Sequence, residues 1–398
     1  MTIFRLIQPI NISKVIGVGQ IFIGSLMAGE IRSEGFVMNS IVLEVNLDKI
    51  RTNTARVVEQ CHGQGITVLG VTKGITAIHP IVAAMIQGGV DGLADSRLEN
   101  IEELRSRGFG QSITLLRIPR LSNVKEVVRY ADVSVNSEIT VIEALGQAAW
   151  QAGRVHQVIL MVDVGDLREG VLQGDVLDTV ERISRMQGVY LQGLGTNMGC
   201  FGGILPEQEN LSVLVNLKNA VEEKLGISIE VISGGGTSSL RLVESKKMPA
   251  GINQLRIGEG ILLGTDTTNS RIIPGLCHDA FLLRAEVIEV KYKPSVPMGN
   301  VGRDAFGNIP HFVDKGIRNR AILALGKQDV NIDGVRPVDA NIEVMGASSD
   351  HLIVDITDSQ REIRVGDEIS FHLTYAGLLS ACDSKYVKKE YKEKKSND

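Results

Sequence analysis

Lys73 ends the run "ITVLGVTKG", a stretch of apolar and β-branched residues closed by a glycine. Desolvating an ammonium is costly unless the group is paired, neutralised or chemically consumed, so a lysine at a buried strand end points to nucleophile or base chemistry. A lone strand-end lysine more often snorkels into water, and the other unusual stretches decide between the two. "ISGGGTSS" supplies Ser233, Gly234, Gly235, Gly236, Thr237 and Ser238. Its glycines let backbone N–H groups approach an anion and its hydroxyls add donors, which suits a phosphate. "QLRIGEGILLG" then places Gly258 and Gly260 after another strand end, with Arg256 projecting toward the same mouth. "MVDVGDLREG" carries Asp163, Asp166, Arg168 and Glu169, and "LGTNMGCFGG" carries Thr196, Asn197 and Cys200.

A lysine amine and a phosphate cradle together suggest pyridoxal 5'-phosphate, held by an imine to Lys73 and by its phosphate. Arg256 would face the pyridine nitrogen. An arginine does not give up its proton, so that nitrogen stays unprotonated and the electron sink is weakened, which favours racemisation over deeper rearrangement.

These residues need a scaffold that brings strand ends together. From Ile41, short apolar strands alternate with amphipathic helices: "IVLEVNL" precedes "DKIRTNTARVVEQCHGQG", and the alternation continues to "IEVISGGG". Repeated βα units with short connections predict a closed (β/α)₈ barrel, whose chemistry sits at the C-terminal strand ends. After about Pro274 the helices stop, and "AFLLRAEVIEVKY", "RNRAILALG", "NIEVMGAS", "HLIVDIT" and "DEISFHLT" read as a mostly antiparallel β domain. The expected division is an extension over 1–37, a cofactor-binding barrel over 38–270 and a β domain over 271–398. Its last stretch, "KYVKKEYKEKKSND", reads as a solvated basic tail. Regular patterning begins just after Met38, which is therefore the expected start of the folded protein.

The totals exclude other classes. The chain has 398 residues, 43% hydrophobic content, 22% charged residues and a net charge of −5, which fits a large core and not a nucleic-acid surface. The N-terminal apolar patches, although they imitate a signal peptide in "VIGVGQIFIGSLMAG", are too interrupted for a spanning helix. Cys61, Cys200, Cys277 and Cys382 are widely separated, so neither a disulfide framework nor a metal site is expected, and a reducing cytoplasm fits.

The motifs "LEVNLDKIRTN", "VTKG", "DVGDLREG", "ISGGG", "QLRIGEGILLG" and "SSDHLIVDIT" occur in the order found in the alanine racemase superfamily (fold type III pyridoxal-phosphate enzymes), and most resemble its ornithine/lysine racemase branch. The resemblance implies a racemase of a basic amino acid, ornithine ahead of lysine, working as a head-to-tail homodimer with shared active sites. It makes Lys73 the imine lysine and the base for one face of the α-carbon, and Arg256 the arginine at the pyridine nitrogen. Arg168 matches an arginine near the substrate carboxylate, and Asp350 an aspartate of the second subunit, with Ser348 and Ser349 beside it as donors.

Three departures stand out. Lys327 in "ALGKQDV" occupies the place of the tyrosine that is the second base, Asn197 that of the tyrosine's histidine partner, and Ala77 that of a phosphate-binding tyrosine. Lys327 is the first candidate for second base, and Cys200 and His351 follow. A free lysine has a pKa of about 10.4, which its surroundings would have to lower. A basic substrate needs an acidic recess, for which Asp166, Glu169 and Asp329 are available. Two other readings remain: a non-catalytic pyridoxal-phosphate carrier resembling the barrel alone, and a lyase or aldolase with a metal near His278 and Asp279 or Asp350 and His351.

Overall fold

The computed structural model describes residues 41–393, so the expected extension over 1–37 and the start at Met38 lie outside the described residues. The described residues belong to one compact unit.

Eight parallel strands close the barrel: β2 (Thr67–Val71), β3 (Gly92–Asp95), β4 (Ile113–Leu115), β5 (Val133–Asn136), β6 (His156–Met161), β7 (Val189–Gly195), β8 (Val231–Ser233) and β9 (Gln254–Ile257). β9 pairs with β2 in the register Leu69↔Arg256, which completes the ring. These strands are buried on both faces, which is why "TVLGV" and "HQVILM" read as continuous apolar runs. Val133, Val135, Ile159 and Met161 form one apolar cluster, and Leu69, Val71 and Ala94 form another. The helices α2 (His79–Gln87), α3 (Leu98–Ser106), α4 (Val124–Tyr130), α5 (Ile139–Gln151), α6 (Val176–Ser184), α7 (Gln208–Leu225), α8 (Leu240–Glu244) and α9 (Glu259–Leu263) alternate with them.

The first strand of the sequence pattern, β1 (Ile41–Asn46), does not belong to this ring. It pairs antiparallel with β12 (Phe281–Pro294), setting Ile41, Leu43 and Val45 opposite Ala285, Leu283 and Phe281, all buried. The helix that follows it, α1 (Leu47–His62), imitates a βα unit, but the apolar row of β12 is a better partner. A two-stranded ribbon, β10 (Thr265–Asp266) with β11 (Arg271–Ile272), leads into the second sheet.

That sheet adds β13 (Ile317–Leu323), β14 (Val335–Pro337), β15 (Glu343–Ala347), β16 (Leu352–Asp355) and β17 (Glu368–Leu373), in the order β14-β17-β12-β13-β16-β15. The helices do not stop at Pro274: α10 (Tyr375–Asp383) follows β17, with Thr374 as its N-cap. The start of the expected basic tail is also ordered, since β18 (Lys388–Lys392) runs parallel to β1. Arg284 joins these strands by ion pairs to Glu368 at 2.8 Å, Glu390 at 3.3 Å and Glu44 at 3.7 Å.

Candidate active site

Lys73 sits in a short 3₁₀ turn directly after β2 and lines a cavity of about 860 Å³. The turn is held from outside: Thr72 N–H donates to Ala94 O at 2.9 Å, and the Thr72 hydroxyl donates to Asp95 Oδ2 at 2.5 Å. Thr76 and Ala77, just beyond, take φ of 46° and 52°, a left-handed conformation that a β-branched residue rarely adopts. Such strain persists only where neighbours over-determine it, and it commonly marks a functional turn. Burial pushes the Lys73 ammonium below its ordinary range, Arg168 and Arg256 act in the same direction, and Cys200 and Asp95 oppose them. Val71, Leu116, Val135 and Met161 supply apolar walls.

Arg256, at the end of β9, is buried and directs its guanidinium to the Ser233 hydroxyl and to Thr196 O, the latter at 2.6 Å. Ser233 in turn donates to Gln254 Oε1 at 2.9 Å. Burial lowers the Arg256 guanidinium to about 10, so it stays charged at neutral pH.

Gly236, Thr237, Ser238 and Gly258 line the same cavity, whereas Ser233, Gly234 and Gly235 do not. Ser233 is instead the rest for Arg256. A Cβ on Gly258 would sit 3.1 Å from Val71 Cβ, and one on Gly234 would be 2.6 Å from Ile252 Cγ2, so both backbones approach their neighbours closely. The Thr237 hydroxyl accepts from Gly260 N–H at 3.2 Å, which leaves its own proton to donate.

Tyr375 completes this end. It belongs to α10 of the second sheet's domain yet lines the cavity beside Lys73. Burial raises its phenol to about 12, so it stays a protonated donor. It offers the hydroxyl that Ala77 cannot, and pattern reading misses it because it comes from the far end of the chain.

The donor set fits pyridoxal phosphate. Lys73 has an amine of depressed basicity, Arg256 would offer a fixed cation to the ring nitrogen, and the Gly236–Ser238 turn with Gly258 and Tyr375 could hold the phosphate.

The β6–α6 loop carries Arg168, which forms a two-bond ion pair with Glu169. The Asn197 amide oxygen, turned toward Arg168, accepts from its Nη1 at 3.0 Å. Arg168, Glu169, Asn197 and Cys200 all reach the cavity. The expected acidic recess is only partly realised. Asp163 Oδ1 accepts from Gly165 and Leu167 N–H groups at 2.8 and 3.2 Å. Asp166 is buried and accepts from Gly199, Phe201 and Ile204 N–H groups at 3.1, 3.2 and 3.3 Å. Both carboxylates shape loops. Asp329 is buried in the β domain and accepts from Gly326 N–H at 2.8 Å.

Lys327 and the "SSD" residues form a second cluster, apart from the Lys73 cavity within one chain. Lys327 N–H donates to Ser348 O at 3.0 Å, Gln328 N–H to Ser349 O at 3.1 Å, and Gln328 Nε2 to Asp350 Oδ1 at 2.5 Å. Lys327 lines its own cavity of about 650 Å³, its Nζ 3.8 Å from the centre of the Phe306 ring and 3.9 Å from Asp304 Oδ2. Both are contacts that a cation makes. His351 shares the hairpin, where its carbonyl accepts from Ser348 N–H at 2.9 Å. Among the described residues no group of three or more His, Cys, Asp or Glu could hold a metal ion.

Comparison with known proteins agrees with this arrangement. The family description "Alanine racemase, N-terminal domain" matches residues 45–266. The chain is 40% identical over 349 residues to the ornithine racemase of Acetoanaerobium sticklandii, covering 87% of this chain and 98% of that protein. It is 42% identical over 349 residues to the lysine racemase of Thermotoga maritima, covering 88% and 98%. Among solved structures, an alanine racemase from Clostridium difficile 630 superposes with a TM-score of 0.69 at 18% identity, covering 89% of this chain and 96% of that one. D-threonine aldolase from Filomicrobium marinum gives 0.67 at 16% identity, covering 86% and 88%, so at this distance the likeness establishes the barrel-plus-sheet fold alone. Matched along most of its length by both the family description and close relatives, the chain belongs to the alanine racemase family, as a pyridoxal 5'-phosphate-dependent amino-acid racemase.

Proposed function

We propose that the chain interconverts the enantiomers of a basic amino acid, ornithine ahead of lysine, as a cytoplasmic head-to-tail homodimer. The observation that carries this reading is the convergence of Lys73, Arg256 and the Gly236–Ser238 turn on one cavity, in a chain whose near relatives are racemases of ornithine and of lysine.

Bound pyridoxal phosphate draws electrons from the substrate's α-carbon and makes its proton removable. Lys73 Nζ moves that proton on one face, and its lowered basicity keeps more of it as the free amine that a base must be. Arg256, held by Thr196 O and Ser233, keeps a full charge beside the ring. Arg168 takes the substrate carboxylate, in the bidentate geometry that guanidinium offers. The second face falls to the partner's Lys327. In one chain Lys327 lines a separate cavity, so this role needs a second copy, which would also bring Ser348, Ser349 and Asp350 to the mouth. The hydrogen bonds that tie 326–329 to 348–350 support delivery of these residues as one unit.

The test is incubation of purified holoenzyme with L-ornithine, L-lysine and L-alanine separately, followed by chiral chromatography. D-ornithine should form fastest and D-alanine slowest; D-alanine alone would overturn the substrate assignment. Lys327→Ala should lose α-proton exchange for one enantiomer only, and unchanged exchange for both removes Lys327 from the mechanism. A fully active monomer in sedimentation would overturn the dimer.

A further inference from the structure

The cavity around Lys73 is rich in cations, with Arg117, Arg168 and Arg256 as further lining residues. Two carboxylates face them, and they differ in how fully they are used. Glu259 Oε1 accepts from Thr265 Oγ1 at 2.7 Å, Thr267 Oγ1 at 2.6 Å and Thr267 N–H at 2.9 Å. Among the described residues Glu169 receives hydrogen bonds from Arg168 alone, through Nε and Nη2, and its side chain is 17% exposed. With the Asn197 amide oxygen turned toward it, Arg168 has a second hold, through Nη1 at 3.0 Å. The guanidinium therefore keeps an anchor if Glu169 lets go.

An amino acid with a distal ammonium carries both halves of this ion pair: a carboxylate for Arg168 and a cation for Glu169. Binding such a substrate exchanges one pair for two and leaves no charge single. A neutral amino acid brings only the carboxylate, and Arg168 can then turn to it only by taking its two hydrogen bonds from the half-buried Glu169, which keeps the longer-range attraction of Arg256 but no hydrogen-bonded cation among the described residues. An unpaired, poorly hydrated carboxylate penalises the wrong ligand more than a lost contact does. We infer that Glu169 selects the basic side chain, by exchanging Arg168 for the substrate's distal ammonium as Arg168 takes the substrate carboxylate. The inference rests on the basic-substrate reading above and adds the residue that enforces it.

The experiment compares L-ornithine with L-norvaline, which has the same carbon chain and no distal amine, in holoenzyme of wild type, Glu169→Gln and Glu169→Asp. Absolute rates can fall in every variant, so the readout is the ornithine-over-norvaline ratio of kcat/KM. Glu169→Gln should lower that ratio about ten-fold or more, the scale of a charge-assisted contact, and Glu169→Asp should restore part of it. Calorimetric binding of 5-aminopentanoate against pentanoate supplies a readout independent of turnover: wild type should prefer the amine, and Glu169→Gln should not. An unchanged ratio and an unchanged binding preference in Glu169→Gln would overturn the role of Glu169. A wild-type enzyme that turns over neither ornithine nor lysine would overturn the substrate reading itself, before any variant is made.

Discussion

Tyr375 and Gly74 come from the two domains and lie in contact: a Cβ built on Gly74 would be 3.0 Å from Tyr375 Cε2 and 3.3 Å from its Oη. The residue after Lys73 must therefore be small for the phenol to reach the cavity. Gly74→Ala should displace the ring and cost about 1–3 kcal/mol of stability, as overpacking does, together with looser retention of pyridoxal phosphate. Tyr375→Phe keeps the packing and should weaken retention without the stability loss. Urea denaturation and absorbance after dialysis distinguish the two, and equal stability of both variants would contradict the contact.

Asp95 is fully buried and accepts from Thr72 Oγ1, from Arg97 N–H at 2.7 Å and from Asn100 Nδ2 at 3.1 Å. Asp95→Ala strands Arg97 N–H and Asn100 Nδ2 and leaves Thr72 Oγ1 only its longer bond to Ala94 O at 3.3 Å, and should cost about 2–4 kcal/mol, within the range for a broken buried network. Thr72→Val removes only one of the three donors and should cost about 1 kcal/mol. Because Thr72 precedes Lys73, both variants should also slow borohydride trapping of the cofactor on Lys73.

The four cysteines should separate by reactivity. Burial raises the Cys61 and Cys382 thiols to about 12, whereas Cys200 is exposed at the cavity and Cys277 is half-buried. A thiol reagent under native conditions should label Cys200 first, and Cys61 and Cys382 only after unfolding, as peptide mass spectrometry will show. Bound pyridoxal phosphate with a substrate analogue should protect Cys200.

Stability should fall in mild acid through His156. This buried imidazole lies 2.9 Å from Ser134 Oγ, and burial lowers it to about 4 from an ordinary value of 6.5. A depressed imidazole stays neutral in the folded protein while the unfolded chain takes up a proton, so its contribution is complete above pH 6.5 and is lost as pH falls toward 4. The full loss is about 3 kcal/mol. His156→Gln should flatten the fall in denaturation midpoint across that window.

Much of this site is legible in the sequence where chemistry follows from local chain features. Lys73, Arg256 and the glycine turn each sit at the end of an apolar run, and a parallel barrel gathers such ends by its own geometry. What depends on distant pairing is not legible. "IVLEVNL" and the helix behind it look like a barrel unit, because nothing local reveals that Leu43 faces Leu283 of a later strand. Tyr375 is silent for the same reason. Asp166 reads as a carboxylate for substrate because its type is visible and the three backbone N–H groups that occupy it are not. Ser233 reads as a phosphate donor, but its hydroxyl is taken by a guanidinium that shares the barrel end with it.

The most direct measurement is incubation of the holoenzyme with L-ornithine in D₂O, followed by chiral separation and mass spectrometry. The expected product is D-ornithine carrying one deuterium at its α-carbon, with none formed by Lys73→Ala. D-ornithine without α-deuterium, or undiminished formation of it by Lys73→Ala, would contradict proton exchange at Lys73.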